Sequence, residues 1–385
     1  MNLLFFYNAT INPQLGGIQR VTSCLGEYLN ENEINVFYLS TLKTSDQSVD
    51  NQFYFPDQES QYSEKNRLFY TDFIVRFNIH IVINQAAISP YISRFISLWT
   101  KQTNAKLISV LHNSLFGMYG LSNHFKFLNK IVYNTVFARL IDNLLIYTFK
   151  LKYGKIYTQM VIESDKVVLL SEKFEKEIIS FSGLNNAKNK IVSISNPTTL
   201  IVNSKIKNKE KQLLFVGRFS FQKRLDLLLI IWSKLHLKFP DWSLYLVGDG
   251  EERISIENSA KKMNLTNIYF EGFQSPEIYY DRASVFCMTS AFEGFGLVLV
   301  EAMAYGCIPF AFKSYPNVVD IIDDNENGEL ISPFLTDEYA EKLSKLMDNE
   351  DQIQIMANNA KIKSDKFRIE IIGNMWLQLF KSVLD

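Results

Sequence analysis

The sequence has few cysteines, no long apolar run and no excess of one charge. Its three cysteines, Cys24, Cys287 and Cys307, lie in apolar runs without C-x-x-C spacing, so we expect reduced core residues rather than disulfides or zinc ligands. No stretch reaches the ~18 uncharged apolar residues of a membrane-spanning helix. Forty Lys and Arg against forty-one Asp and Glu give a formal charge of −1, which argues against nucleic-acid binding driven by bulk charge.

The rest of the composition is that of a globular chain. Apolar residues make up 47% and charged residues 21% of the 385 residues, which excludes a disordered chain, a collagen-like repeat and a disulfide scaffold and fits two domains. The N-terminal sequence MNLLFFYNAT has no basic segment and becomes polar within seven positions, which predicts a buried strand rather than a secretory signal. We therefore expect a cytoplasmic protein.

Short apolar runs alternate with amphipathic stretches in both halves of the chain, a pattern typical of parallel β-α-β units. The polar, lysine-rich segment 198–212 separates the two series and is interpreted as a linker. The predicted fold is α/β, with two doubly wound Rossmann-like domains that face a cleft. The first covers residues 1–200 and the second residues 201–366, and ligands of such sheets bind beyond the carboxyl ends of the strands.

Strands and helices follow from the two periodicities. The predicted strands are Leu3–Tyr7, Asn35–Leu39, Ile79–Asn84, Ala105–Leu111, Lys166–Leu170, Lys190–Ile194, Leu213–Val216, Ser243–Val247, Ile268–Glu271, Val285–Met288 and Ile308–Phe312. The predicted helices are Gly17–Leu29, Lys65–Phe77, Ser171–Phe181, Arg224–Phe239, Glu251–Met263, Gly296–Tyr305, Thr336–Met347, Asp351–Lys361 and Phe367–Leu384.

Two glutamates eight positions apart stand in the glycine-containing segment 287–310. Glu293 lies on a predicted loop and Glu301 lies just over two turns later in the helix that follows, so both carboxylates can lie on one side. Carboxylates accept hydrogen bonds from hydroxyl groups, so their expected partners are ribose and sugar hydroxyls. The structural alternative is that Glu293 caps the helix and Glu301 is solvated.

Between the glutamates, the loop ends in a helix start that suits an anion. Gly294 and Gly296 remove side chains where the backbone would approach a ligand. The amides of Leu297 and Val298 begin the predicted helix and can bind a diphosphate.

Two cations follow the first predicted strand of the second domain. Arg218 and Lys223 lie after Gly217, at the strand end where a doubly wound sheet binds its ligands. There they would hold a diphosphate and neutralise the leaving nucleotide, unless they are simply exposed loop charges. Arg224, the next residue, is expected to face solvent.

The first domain offers weaker candidates. Gly16 and Gly17 open a predicted helix and can touch a phosphate or an acceptor, although a glycine pair before a helix equally suits a structural turn. His112 ends a predicted strand and is expected to face the ligand. Without a G-x-G-x-x-G fingerprint a dehydrogenase loses its main support. The other histidines lack metal-ligand spacing and no Asp-x-Asp follows a strand, so no metal or cofactor is predicted.

Taken together, these motifs resemble glycosyltransferase family 4, the retaining GT-B enzymes of bacterial glycan assembly, over nearly the whole chain. The matching segments are G-G-I-Q-R-V, L-H-N, S-E-K-F-E-K-E, S-N-P, V-G-R-F-S-F-Q-K, L-V-G-D-G, F-E-G-F, E-G-F-G-L-V-L-V-E-A-M-A and N-G-E-L-I. Two features depart from the family pattern. Arg224 stands where the family usually has Gly, and the G-C-I-P segment at 306–309 has one residue more than the commoner form.

The resemblance implies a role for each candidate residue. The donor-binding residues would be Gly17, Arg218, Lys223, Phe273, Glu293, Gly294, Phe295, Gly296, Leu297, Val298 and Glu301. Among them, Arg218 and Lys223 would bind the diphosphate, Glu301 the ribose, and Glu293 with the 294–296 backbone the sugar. Gly17 would contact the diphosphate from the opposite domain. Phe273 and Gln274 would lie at the base pocket, His112 would meet the sugar or the acceptor, and the last helix would return to the first domain.

The implied reaction moves a sugar, with retention, from a nucleoside diphosphate, UDP being the common case in the resembled family, to a glycan hydroxyl. The first domain offers no obvious carboxylate nucleophile of the kind that retaining glycosidases use. We therefore favour a front-face substitution in which the departing phosphate accepts the acceptor's proton, while Arg218, Lys223 and the helix start stabilise the charge. Glu293, Arg218, Lys223 and His112 are the predicted catalytic residues.

Residues 114–160 hint at the acceptor. They contain six Lys and Arg against one Asp, interleaved with aromatic residues, as suits an anionic bilayer surface. The excess lies in the first half, since residues 1–200 carry +4 and residues 201–385 carry −5. We expect a peripheral enzyme on the inner face of the cell membrane that extends a lipid-linked glycan. The alternative is a helical insertion packed on the domain, with ordinary solvated lysines.

Three other functions remain open on the sequence. The chain could act on soluble or protein acceptors, serve as an inactive nucleotide-sugar-binding subunit for a partner enzyme, or be a nucleotide-sugar epimerase of the same architecture. The sequence leaves the sugar, the base, the linkage and the acceptor undetermined, because these depend on the shape of the pocket.

Overall fold

A computed structural model describes residues 1–120, 136–200, 202 and 209–385 of the chain. Within these ranges the chain divides into two compact units. The first comprises Met1–Phe116, Leu144–Thr199 and Phe367–Asp385. The second is built on Leu200–Lys366, and the described residues of the 117–143 segment are grouped with it.

Each unit is organised around a parallel sheet. The first sheet has the order β3-β2-β1-β4-β5-β6-β7, and the second has the order β10-β9-β8-β11-β12-β13. The strands are β1 Asn2–Tyr7, β2 Asn35–Ser40, β3 Gln52–Tyr54, β4 Ile81–Asn84, β5 Lys106–Leu111, β6 Lys166–Leu169, β7 Ile191–Ser193, β8 Glu210–Val216, β9 Ser243–Val247, β10 Ile268–Gly272, β11 Ala283–Met288, β12 Ile308–Phe312 and β13 Glu329–Ile331. The predicted α/β class, with one parallel sheet in each of two units, is confirmed.

Helices follow most strands and cover the sheets. The α-helices are α1 Gly17–Glu31, α2 Glu64–Arg76, α3 Pro90–Thr100, α4 Leu115–Tyr119, α5 Val136–Glu163, α6 Glu175–Ser182, α7 Leu225–Ser233, α8 Arg253–Lys262, α9 Glu277–Arg282, α10 Leu297–Ala304, α11 Val318–Ile321, α12 Thr336–Met347, α13 Glu350–Ser364 and α14 Ile369–Leu384. No described helix is long and apolar enough to cross a bilayer.

The central strands are buried on both faces, which explains their continuous apolar runs. All residues of β4 and β12 are buried, as are the four central residues of β1. Parallel strands direct all their carboxyl ends to one edge of the sheet, and the loops that leave this edge carry most of the candidate site residues.

The sequence-based elements differ from the observed ones in a few places. The short edge strands β3 and β13 and the helix α3 were not predicted; a strand of three residues is too short to show an alternation, whereas α3 has a helical pattern that the prediction missed. The helix predicted over Arg224–Phe239 ends at Ser233. The last part of the predicted helix, residues 234–239, lies outside the observed helix, and its residues Leu235 and Phe239 are buried in the core.

The last helix packs against the first unit. Ile372, Trp376 and Phe380 of α14 share a core cluster with Leu25 and Leu29 of α1. The two helices approach closely where Gly373 of α14 meets Tyr28 of α1. A Cβ atom at position 373 would lie 2.2 Å from Cε1 of that tyrosine.

This approach predicts a size limit at position 373. Gly373→Val should lower the free energy of unfolding by about 1–3 kcal/mol, the usual cost of overpacking, as measured by urea denaturation. Adding Tyr28→Ala to the same chain should recover part of that loss, because the ring that meets the new side chain is gone. Equal stability of Gly373→Val and the wild type would show that α14 does not pack here.

Candidate functional site

Two loops of the second unit carry most of the predicted residues. β8 and β11 are neighbours in the centre of the second sheet. The loop 217–224 follows β8 and the loop 289–296 follows β11, so both leave the carboxyl edge side by side. This adjacency brings the predicted cations and the first predicted glutamate together.

Hydrogen bonds tie the two loops to each other. The amide of Ala291 donates to the carbonyl of Gln222 at 2.7 Å, and Nε2 of Gln222 donates to the carbonyl of Phe292 at 2.8 Å. Oγ1 of Thr289 donates to the carbonyl of Lys223 at 2.9 Å. Sequence reasoning missed Gln222 and Thr289, because their contacts are to backbone atoms of a distant segment. The two loops therefore form one connected surface.

At the centre of this surface is an ion pair. Nζ of Lys223 donates to Oε1 of Glu293 at 2.6 Å, and the side chains are only 15% and 10% exposed. A hydrogen bond between two opposite charges is strong when little water screens it. The pair presents a cation beside an acceptor, as a ligand with both a phosphate and hydroxyl groups requires.

Arg218 is in a different environment on the same loop. Its side chain is 74% exposed, and Nε donates to Oε2 of Glu251 at 3.1 Å, another exposed side chain. An exposed pair of this kind contributes little to stability, so the guanidinium can exchange the carboxylate for a phosphate. The structure thus puts one predicted cation in a buried pair and the other on the surface.

Glu301 lies on α10 and is fully buried. The hydroxyl of Tyr280, itself buried, donates to its Oε2 at 3.4 Å. The structural alternative of a solvated helix face is wrong for this residue. Its carboxylate lies inside the unit rather than on an open surface, and its contact with ribose stays a prediction.

The start of α10 is held by residues that the sequence did not single out. Gly296 precedes the helix with φ of 89°, and a Cβ atom there would lie 2.9 Å from the hydroxyl oxygen of Tyr315. Nδ2 of Asn317 donates to the carbonyl of Gly294 at 2.9 Å. Gly294 and Phe295 are buried between these contacts. The first amides of α10, at Leu297 and Val298, therefore have a fixed direction and can bind an anion.

Arg224 contradicts the expectation that it faces solvent. The residue is only 8% exposed and adopts φ of 50°, a left-handed conformation that favours glycine. Its guanidinium binds both carboxylate oxygens of Asp226 at 2.9 Å. It also lies over the rings of Phe221 and Phe334, 5.6 and 5.7 Å from their centroids. These contacts offset the backbone strain and bury the side chain.

His112 ends β5 in the first unit and is only 7% exposed. Its Nε2 forms a short hydrogen bond with Oε1 of Gln85. Burial lowers the pKa of the imidazole to about 4, so the ring is neutral at pH 7. Nδ1 is buried and has no hydrogen-bond partner among the described residues. Sequence reasoning missed Gln85, which lies at the end of the neighbouring strand β4.

The remaining predicted residues are exposed. Gly17 begins α1 after Gly16, which has φ of 67°. Phe273 and Gln274 follow β10 directly, and the ring of Phe273 is 75% exposed. An exposed aromatic ring after a strand end is available for stacking on a base.

Comparison with known proteins relates these features to a family. Residues 198–363 match the family model described as "Glycosyl transferases group 1". An uncharacterized glycosyltransferase of Haemophilus influenzae is 33% identical over 219 residues, which are 56% of this chain and 61% of that protein.

Among the other relatives is the Campylobacter jejuni "GalNAc-alpha-(1->4)-GalNAc-alpha-(1->3)-diNAcBac-PP-undecaprenol alpha-1,4-N-acetyl-D-galactosaminyltransferase". It is 27% identical over 46% of this chain and 49% of its own length. The chain thus spans about half to three fifths of the curated relatives described here. The crystal structure of HepE of Anabaena in complex with UDP has a TM-score of 0.74 at 16% identity and covers 99% of this chain and 100% of its own. At this identity the likeness shows the fold.

The conformation of Arg224 leads to a test of its environment. Arg224→Ala should destabilise the protein, because it removes the ion pair and both ring contacts while keeping a side chain at positive φ. Arg224→Gly loses the same contacts but relieves the strain, and should be more stable than Arg224→Ala by about 1 kcal/mol in urea denaturation. An alanine variant as stable as the glycine variant would contradict the left-handed conformation.

Proposed function

We propose that this chain, whose residues 198–363 match the family model of the group 1 glycosyl transferases, moves a sugar from a nucleoside diphosphate sugar to a hydroxyl group of a glycan. The observation that carries the proposal is the buried Lys223–Glu293 pair on two tied loops beside the start of α10. We assign the second unit to the donor and the first to the acceptor.

The donor we propose is a UDP-sugar that carries a hexose or an N-acetylhexosamine. Two findings support it: HepE has the same fold and was solved with UDP, and the Campylobacter jejuni relative is named as an N-acetylgalactosaminyltransferase. In this proposal the uracil stacks near Phe273 and Gln274, and Glu301 holds the ribose. We expect the reaction to need no metal ion.

Charge complementarity supports the proposed contacts of the diphosphate. Its oxygens would compete with Glu293 for the ammonium of Lys223, and the exposed guanidinium of Arg218 would leave Glu251 for the phosphate. Glu293, freed in part from Lys223, would accept hydrogen bonds from sugar hydroxyls. The amides of Leu297 and Val298 would stabilise the negative charge that develops on the leaving phosphate.

We propose that the transfer proceeds with retention by front-face substitution. The bond between the anomeric carbon and the phosphate oxygen breaks, and the acceptor oxygen bonds to the same face of that carbon. The acceptor's proton passes to the departing phosphate oxygen. His112 is neutral at pH 7, so in this proposal it hydrogen-bonds to the sugar or the acceptor and does not supply a proton.

For the acceptor we propose a lipid-linked glycan, reached by an enzyme that lies on the inner face of the cell membrane. The name of the Campylobacter jejuni relative includes an undecaprenol-linked acceptor, which supports this choice. A second support is an exposed apolar stripe on α5. It consists of Leu140, Leu144, Tyr147 and Leu151, each more than half exposed.

The stripe has the geometry of a helix that lies on a bilayer. Its members follow at i, i+4, i+7 and i+11, so they share one face, and Lys150 and Lys155 flank that face on its two sides. After this region α5 packs on its unit, with Tyr157 and Met160 fully buried. The end of the helix is thus packed on the domain, as the alternative interpretation of 114–160 expects, and the exposed stripe supports the proposed membrane contact of its first part. Lys126 and Lys130 of the predicted basic segment lie outside the described residues, as does the side chain of Arg139.

Removal of either cation tests the donor site. Arg218→Ala and Lys223→Ala should each lower kcat/KM about 30-fold or more, since a charged hydrogen bond contributes ~2 kcal/mol. The measurement is release of nucleoside diphosphate from a panel of nucleotide sugars, with and without lipid extract. Arg282→Ala is the matched control, because Arg282 pairs with Glu210 at the first residue of β8, at the opposite edge of the sheet. Near-normal turnover in both site variants would contradict the assignment.

Vesicle flotation tests the stripe. The protein should float with phosphatidylglycerol vesicles at low salt and be released at high salt, because basic residues contribute ~1 kcal/mol each near an anionic surface. Leu144→Glu with Leu151→Glu should abolish flotation, whereas Leu237→Glu, at an exposed site of the second unit, should not. If the wild type does not float, a soluble acceptor becomes the better assignment.

A further inference from the structure

A buried carboxylate lies next to the turn that carries His112. Glu177 is on α6 and only 3% exposed. Its two oxygens accept the hydroxyl of Ser114 at 3.0 and 2.9 Å, and Oε2 accepts the amide of Phe116 at 3.1 Å. Ser114 and Phe116 flank the start of α4, two and four residues after His112. Glu177 thus accepts hydrogen bonds from this turn, although it lies on a distant segment of the chain.

The amide of Phe116 can only donate, and the ionised carboxylate accepts from both groups with its two oxygens, whereas a protonated one would have to donate from one oxygen. No described lysine or arginine pairs with Glu177 at ion-pair distance, in contrast to Glu175 on the same helix, which pairs with Lys188 at 3.3 Å. Burial raises the pKa of Glu177 from its ordinary 4.5 to about 7, although the bonds from Ser114 and the backbone of 115–116 oppose this shift.

The ionised form therefore costs stability. Because the folded-state pKa lies above the ordinary value, the contribution of Glu177 to stability is full below pH 4.5 and falls as the pH rises to about 7. If Glu177 served only to fill space, an uncharged residue of similar size would give a more stable protein. A charge kept at this cost suggests a role in function rather than in the fold.

We infer that Glu177 is a positioning residue, whose ionised carboxylate fixes the turn after β5 and thereby the imidazole of His112. The inference rests on the proposed function, which assigns His112 to the sugar or the acceptor. The ring is held from two directions: Gln85 binds its Nε2 from the end of β4, and Glu177 holds the backbone that follows it.

Other ionisable side chains near the turn are His112, Tyr157, Glu175 and Lys176. His112 is neutral above its pKa of about 4. On α5, the hydroxyl of Tyr157 donates to the carbonyl of Ile88, and its ring contacts Phe181 of α6. On α6 itself, Glu175 is ion-paired and Lys176 is exposed. Protonation of Glu177 is therefore the local event expected as the pH falls below 7.

The test compares Glu177→Gln with Glu175→Gln, a neighbour on the same helix. The wild-type kcat should show an acidic limb with a midpoint near pH 7. At pH 8, Glu177→Gln should lower kcat about 10-fold, remove that limb and change the donor KM much less, since the proposed contacts of the diphosphate, ribose and base are in the other unit. Glu177→Asp should restore part of kcat, and Glu175→Gln should behave as wild type.

Hydrogen exchange of the peptide that contains 112–116 gives a readout independent of turnover. After correction for intrinsic rates, these amides should exchange faster in Glu177→Gln than in Glu175→Gln. Glu177→Asp, which keeps a carboxylate, gives the same comparison if the glutamine variant does not fold. Normal kcat and unchanged exchange in Glu177→Gln would overturn the inference. Wild-type protein that turns over no donor would instead count against the proposed function.

Discussion

The candidate site depends on one buried ion pair, between Lys223 and Glu293. Nζ of the lysine lies 2.6 Å from Oε1 of the glutamate, and both side chains have little exposure to water. Such a pair is costly to bury unless its geometry is fixed. The fold fixes it through neighbouring strands, β8 and β11, and through backbone hydrogen bonds that join the loops after them. A ligand that supplies a phosphate to the lysine and hydroxyls to the glutamate would replace the interaction of the pair with two others. Because the loops are already joined, the site is organised before the ligand binds.

The polar groups of the two units differ in charge and in their surroundings. In the second unit the polar centre is charged and borders the exposed Arg218, as suits an anionic ligand. In the first unit His112 is neutral, and the carboxylate of Glu177 is enclosed by donors. A neutral ring held by fixed partners suits hydrogen bonding to hydroxyl groups. Both environments support the proposed transfer of a sugar from an anionic carrier to a hydroxyl acceptor.

The sequence was sufficient for the periodic elements and for the pattern of glycines, glutamates and cations that clusters at strand ends. It could not reveal contacts set by tertiary packing. Arg224 is buried because Asp226 and two rings enclose it, and only Phe221 and Asp226 are near it in the chain. Two other hydrogen bonds also join segments about 20 residues apart. One runs from Tyr280 to the buried Glu301, and the other runs from Asn317 to the loop at Gly294. Periodicity carries no information about such pairs.

A crystal structure of the protein with a bound UDP-sugar tests the central claim most directly. The account predicts a phosphate oxygen within hydrogen-bond distance of Nζ of Lys223 and a sugar hydroxyl on the carboxylate of Glu293. A donor bound elsewhere, with the ion pair intact and in contact with no part of it, would contradict the account.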